Sequence, residues 1–203
     1  MVQKFWRIRL GAAKEGYDRF EKVFDLCKNE TTPCLAVGWG ELDLSKEIEE
    51  IKKDWKKEYS ESFGGIHAVQ IKRWVEMKNG DNVIAMIRPG TICSVGKIIK
   101  ERYYKKDNKF KIEIEGYEEG GDVWFFNRID VKWIIKPDNY IKIKSLDLPK
   151  DLAAKLNIPM TIIKLESGDF KVLKDKIDLY KPEIKSSTPK YGRKYDVEGK
   201  SGR

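Results

Sequence analysis

HAVQIKRWVEMKNGDNVIAMIRPGTICSVGKI, residues 67–98, carries the fold in one continuous run. Its first part reads as a helix that starts after Gly64-Gly65. KNGD, residues 78–81, is a tight turn, because Asn and Gly accept the left-handed backbone that a short reversal demands. NVIAMI, 82–87, and TICSVGKIIKERYY, 91–104, are apolar, β-branched strands joined through Pro89-Gly90. The flanking segments repeat this alternation of short strands with helices.

Upstream, KFWRIRL, 4–10, alternates as a strand. Tyr17, Phe20, Val23, Phe24 and Cys27 fall at helical spacing. CLAVGW, 34–39, is a second strand. Leu44, Ile48, Ile51, Trp55 and Tyr59 share one helical face, with Ser45 placed as the cap, so Trp55 and Tyr59 are expected to be packing residues. Downstream, KFKIEIE, 109–115, alternates; GYEEGGD, 116–122, is a glycine-rich acidic loop; VWFFNRIDVKWII, 123–135, reads as one long strand. A short helix at 149–157, a strand at 160–166 and a helix at 169–180 follow. The expected class is α+β, a small, partly open β-barrel surrounded by helices. Residues 1–182 form the expected domain. Residues 183–203 are polar and basic without apolar period, which predicts a flexible linker toward a further C-terminal region.

The 203 residues suffice for one domain with a substantial core, and 36% are charged. The Lys, Glu and Ile richness would suit a thermophile. No apolar run approaches membrane-spanning length and no signal peptide is evident, so a cytoplasmic location is expected, without membrane contact. A formal net charge of +8 favours polyanionic partners. Three cysteines, Cys27, Cys34 and Cys93, show no CxxC spacing, and His67 is the single histidine, so neither metal nor cofactor is expected.

Catalytic signatures fail on spacing. GRKYDVEGKS, 192–201, ends in GKS, but Gly192 lies too far before Gly199 for a phosphate-binding loop. Asp138 with Asp169 and Lys171 imitates a metal-dependent nuclease set, yet Asp169 falls at a helix start where Asp is common anyway. His67 has no nucleophile motif beside it.

Four segments taken in order are more specific: FWRIRLG (5–11), LAVGWGELDLSK (35–46), residues 67–98 and NRIDVKW (127–133). The series resembles the EVE/YTH-like branch of the PUA superfamily, and within it the N-terminal DNA-recognition domains of McrB-type modification-dependent restriction proteins. The resemblance covers residues 4–135. It implies a PUA-like fold that flips a methylated base out of double-stranded DNA into an aromatic cage, with no chemistry on the base. A GTPase motor domain and a nuclease subunit would then lie elsewhere in the intact system. N6-methyladenine is the first expected base and 5-methylcytosine the second. Methylated RNA is the rival ligand; a metal-dependent nuclease and a docking module are the rival classes.

Such a cage must return the few kcal/mol lost on unstacking a base. Stacking on aromatic faces returns about 1–3 kcal/mol per base. A buried methyl adds only about 0.8 kcal/mol, so discrimination needs a close fit. The expected base-binding residues are Trp39, Phe63, Tyr117, Trp124, His67 and Asp43. Trp39, between two glycines at a strand end, is either a platform or a core corner, and Trp124 is either cage or core. Expected phosphate contacts are Arg7, Arg9, Arg88, Lys97, Lys100, Arg102 and Arg128.

Overall fold

The computed structural model describes residues 3–10, 17–88, 90–113, 122–135, 140–158 and 160–180. Its strands are β1 (Phe5–Arg9), β2 (Cys34–Val37), β3 (Asn82–Arg88), β4 (Thr91–Tyr104), β5 (Lys111–Glu113), β6 (Asp122–Trp124), β7 (Asn127–Trp133), β8 (Ile141–Lys142) and β9 (Ile162–Leu165). The helices are α1 (Tyr17–Lys28), α2 (Ile48–Tyr59), α3 (Gly65–Glu76), α4 (Lys150–Asn157) and α5 (Ser167–Leu179). The α+β class expected from the sequence is the class observed. Its barrel-like centre takes the form of an open seven-stranded sheet in the order β2-β7-β4-β3-β1-β9, with β8 on β4; β5 and β6 pair separately. β1 runs parallel to β3, Phe5 opposite Asn82, and antiparallel to β9.

Strand alternation divides the core into two faces. Trp6, Ile8, Val83, Ala85 and Ile87 join Ile51 and Trp55 of α2 and Ile71 and Trp74 of α3. The intervening Ile84 and Met86 join Leu152 and Leu156 of α4 and Phe170, Leu173 and Ile177 of α5. Helices therefore cover both faces, and each fully buried Ile, Leu or Phe contributes about 1.5–3 kcal/mol. The 78–81 turn is stitched to β1 by Asp81, which accepts from Lys4 N (2.9 Å), Trp6 Nε1 (2.9 Å) and Lys78 N (3.2 Å). At Gly96 a Cβ would lie 2.7 Å from the Trp133 ring and 3.0 Å from Lys132 O, so only glycine lets β4 and β7 approach this closely.

Three sequence expectations are revised. Ser45 does not cap α2; the helix begins three residues later behind Glu47, and Ser45 instead donates to Asp43 from both its N–H (2.9 Å) and its hydroxyl (2.5 Å). The long strand at 123–135 is two strands, because the chain changes partners at Phe125-Phe126: Phe125 N donates to Phe110 O at 3.0 Å, and Lys105 N donates to Phe126 O at 2.9 Å. The expected strand over 109–115 is preceded by a short 3-10 turn, Asn108–Phe110. The expected linker at 183–203 lies outside the described residues.

Candidate nucleic-acid interface

Trp39 follows β2 in a reversal that Gly40 makes possible with φ +56°. Leu42 N donates to Trp39 O at 3.2 Å and closes the turn. The Trp39 ring is half-buried against the first core. Trp55 and Tyr59 stand four residues apart on α2 and so share a face. Ser60, in the left-handed region at φ 54°, ends that helix. Phe63 lies in the connection to α3, and His67 in its first turn.

These elements converge on the Trp55 ring. Its centroid is 4.4 Å from Tyr59, 5.7 Å from Phe63 in an edge-on contact, and 5.6 Å from His67. The Tyr59 hydroxyl reaches Trp39 O at 3.5 Å, and a Cβ on Gly40 would come within 3.0 Å of that hydroxyl. Partial burial, then the charge on Glu58, raises the Tyr59 pKa, so the phenol stays protonated and a donor. Trp55 is 6% exposed, whereas Tyr59 is 38% exposed. His67 is exposed and Phe63 half-buried. The Trp55 indole N–H is buried without a partner. The arrangement is a supported set of ring faces with Tyr59 and His67 at its mouth.

Of the six expected base-binding residues, Phe63 and His67 meet at the Trp55 ring, and Trp39 adjoins the cluster through its carbonyl, which Tyr59 reaches. Asp43 is not among the rings that meet at Trp55; its Oδ1 accepts from both the N–H and the hydroxyl of Ser45 in the turn that follows Trp39. Trp124 belongs to a different group, 5.4 Å from Phe126 in a small core with Phe110 and Phe125. Tyr117 lies outside the described residues. Trp55 and Tyr59, expected only to pack, stand at the centre. Their four-residue spacing, four positions before Phe63, was the available signal.

The expected phosphate contacts are corrected more heavily. Arg7 is fully buried, and its guanidinium donates to Met160 O (2.5 Å) and Ile158 O (2.9 Å), just past the end of α4. Burial, then Arg9 and Arg73, pushes the Arg7 pKa down to about 9. Arg9 is 5% exposed. Arg128 is buried, its guanidinium 3.6 Å over the Phe110 ring and 3.7 Å from Asp107. Arg102 donates to Leu44 O and Val75 O, both at 3.1 Å, so it clamps the segment before α2 to the end of α3. These four arginines build the fold and are not available for phosphate. Lys97 and Lys100 are exposed, as a phosphate-binding role requires. The Arg88 side chain lies outside the described residues.

Asn127, unremarked in the sequence, orients the site from behind. Fully buried on β7, it accepts from Leu44 N (2.8 Å) and donates to Leu42 O (2.9 Å), fixing the chain that leaves the Trp39 turn.

Two cavities lie away from the rings. One of about 560 Å³ is lined by Thr91, Lys142, Lys144 and Asn157, the other of about 510 Å³ by Lys4, Lys78, Asp81 and Lys97. Asp169 of the nuclease alternative serves a capping box with Glu166 and pairs with Lys155; Asp138 lies outside the described residues. Among the described residues no cluster of three or more His, Cys, Asp or Glu is placed to hold a metal, and no helix is long and apolar enough to cross a membrane.

An α+β sheet with helices on both faces and a partly exposed ring cluster at one strand end thus defines the molecule. The chain belongs to the family described as a domain of unknown function, DUF8426, whose profile matches residues 6–157. No curated protein matches it. Solved structures similar to it include human THYN1 protein in complex with 5-methylcytosine-containing DNA, at 13% identity and TM-score 0.47 over 89% of this chain and 100% of that one. The YTH domain of the Zygosaccharomyces rouxii MRB1 protein in complex with N6-methyladenosine RNA is similar at 12% identity and TM-score 0.39, over 86% of each chain. Rpa0253 from Rhodopseudomonas palustris is similar at 13% identity and TM-score 0.39, over 91% of this chain and 99% of that one.

Proposed function

We propose that this chain binds nucleic acid containing a methylated base, which it holds against the rings of Trp39, Trp55, Tyr59, Phe63 and His67. One observation carries the reading: Tyr59, Phe63 and His67 surround Trp55 beside the Trp39 turn, and the cluster is open at Tyr59 and His67. Ring faces that are firmly packed on one side and open on the other suit a flat, uncharged ligand with added apolar area. The +8 charge supports a polyanion as its carrier. The ordered resemblance to EVE/YTH-like domains supports double-stranded DNA with a flipped base, N6-methyladenine before 5-methylcytosine. On this reading the chain is a recognition module that does no chemistry on the base. It would serve a McrB-type restriction system in the cytoplasm, its GTPase motor and nuclease residing in other domains or subunits.

The test is a titration panel at one fixed salt: matched duplexes unmodified, with N6-methyladenine, or with 5-methylcytosine, and an N6-methyladenosine RNA. Trp39→Ala is expected to weaken binding of the preferred duplex by roughly 10- to 100-fold, the equivalent of about 1–3 kcal/mol of stacking. Weak binding to unmodified duplex persists, since phosphates hold that complex. Because the Trp39 ring also rests on the core, a modest fall in melting temperature accompanies the change. Equal affinity of the parent chain for all four ligands would remove the modified-base reading.

A further inference from the structure

Past the end of β4 the chain presents four exposed lysines, Lys105, Lys106, Lys109 and Lys111. They interleave with rings. Tyr104 and Trp124 both pack on Phe126, at 5.9 and 5.4 Å, and Lys111 Nζ lies 5.8 Å from the Trp124 ring centroid. The strip joins the ring cluster through Glu41, two residues beyond Trp39: the Tyr104 hydroxyl donates to Glu41 O at 3.1 Å, and Lys106 Nζ is 3.1 Å from Glu41 Oε2. Lys109 pairs with Glu30 and, at 3.7 Å, with Asp107 at the far end.

We propose that this strip is the surface that receives the phosphodiester strand flanking the bound base. The inference rests on the function proposed above and gives the nucleic acid a path away from the ring cluster. Four of the expected phosphate-binding arginines are buried or engaged with carbonyls, so among the described residues exposed ammonium groups carry the positive field in their place. Here those groups are clustered and begin at the turn that carries Trp39. Their partners Glu41 and Glu30 hold two of them at the surface in ion pairs, which contribute little and are readily exchanged for phosphate. Half-buried rings beside lysines match the alternation of base and phosphate along a strand.

The experiment is charge reversal in the whole chain, Lys105→Glu, Lys106→Glu and Lys111→Glu together. The control makes the same charge change on the α4–α5 side, Lys144→Glu, Lys150→Glu and Lys171→Glu. Both are titrated against methylated and unmodified duplexes over a salt series, with Lys→Gln at the same strip positions as a milder set should the reversal unfold. The strip variant is expected to lose roughly 10-fold or more in affinity for both duplexes. Its slope of log affinity against log salt becomes shallower by about 0.9 for each phosphate it no longer neutralises. Its preference for the methylated duplex is unchanged. The control retains the parent slope to within about one phosphate. Equal slopes in strip and control variants, with the parent still preferring methylated duplex, would overturn the strip alone. With polyglutamate titrated alongside as an acidic-protein probe, loss of its binding in the strip variant with duplex binding intact would overturn the proposal in favour of an acidic protein. A parent chain that binds no oligonucleotide overturns both proposals together.

Discussion

Trp55→Ala lowers the free energy of unfolding by about 3–5 kcal/mol, the cost of removing a large aromatic side chain from a packed interior. Trp55 is 6% exposed and belongs to the first core, and Tyr59, Phe63 and His67 all rest on it. Its loss leaves a cavity and three rings without support. Trp55→Phe keeps most of the buried area and separates two roles of the residue. Chemical denaturation of both variants, beside titration with methylated duplex, is the measurement. The alanine variant loses stability and binding together. The phenylalanine variant keeps most of its stability, while on the proposed function its modified-base affinity falls with the reduced ring area. An alanine variant as stable as the parent would mean that Trp55 is not the floor of the cluster.

The second large effect is remote from any ligand. Asn127→Ala leaves the Leu44 N–H and the Leu42 carbonyl without their side-chain partners inside the protein. An unsatisfied buried group costs about 1–3 kcal/mol, so the pair predicts a loss of about 2–4 kcal/mol. The Trp39 turn leads directly into this segment, so on the proposed function the preference for methylated over unmodified duplex falls as well, although Asn127 is fully buried. Asn127→Asp sharpens the test: one oxygen still accepts from Leu44 N, but the other now faces the Leu42 carbonyl and repels it. Thermal melting and the methylated-to-unmodified affinity ratio are read on both variants. A melting temperature within a degree or two of the parent for Asn127→Ala would show that the segment holds without this residue.

Much of the fold was legible because helix and strand periods differ. The 67–98 run gave α3, its turn and the β3–β4 pair with only small boundary shifts. Cap chemistry was harder to read. Ser45 is a good capping residue, but it turns back onto Asp43 two positions earlier while the helix starts later, behind Glu47, and local competition of this kind depends on backbone angles. The arginines failed for a topological reason. Alternation in FWRIR puts Arg7 on the face opposite Trp6 and Ile8, which reads as solvent if only one face is covered. Here α4 and α5 cover the second face as well, so Arg7 is as buried as Trp6. The ring cluster was half legible. Trp39, Phe63 and His67 stood out through their glycines and the family resemblance. Trp55 was set aside because a buried tryptophan on an amphipathic helix satisfies a packing pattern whether or not its neighbours meet a ligand.

The position of β1 has a consequence for how the molecule assembles. Phe5 pairs with Asn82 on one side and with Leu165 on the other, so this early strand has no neighbour near it in the chain. Closing loops of that length has to precede the gain from pairing, which makes for slow, late sheet completion. During synthesis on a ribosome, β1 would wait for more than half of the chain to emerge before its second edge could be filled, and over that interval it presents an open template for wrong partners. The family match ends at residue 157, yet β9 lies beyond it and covers that edge. A fragment trimmed to the matched region would therefore keep every ring of the cluster and still leave its first strand exposed to self-association.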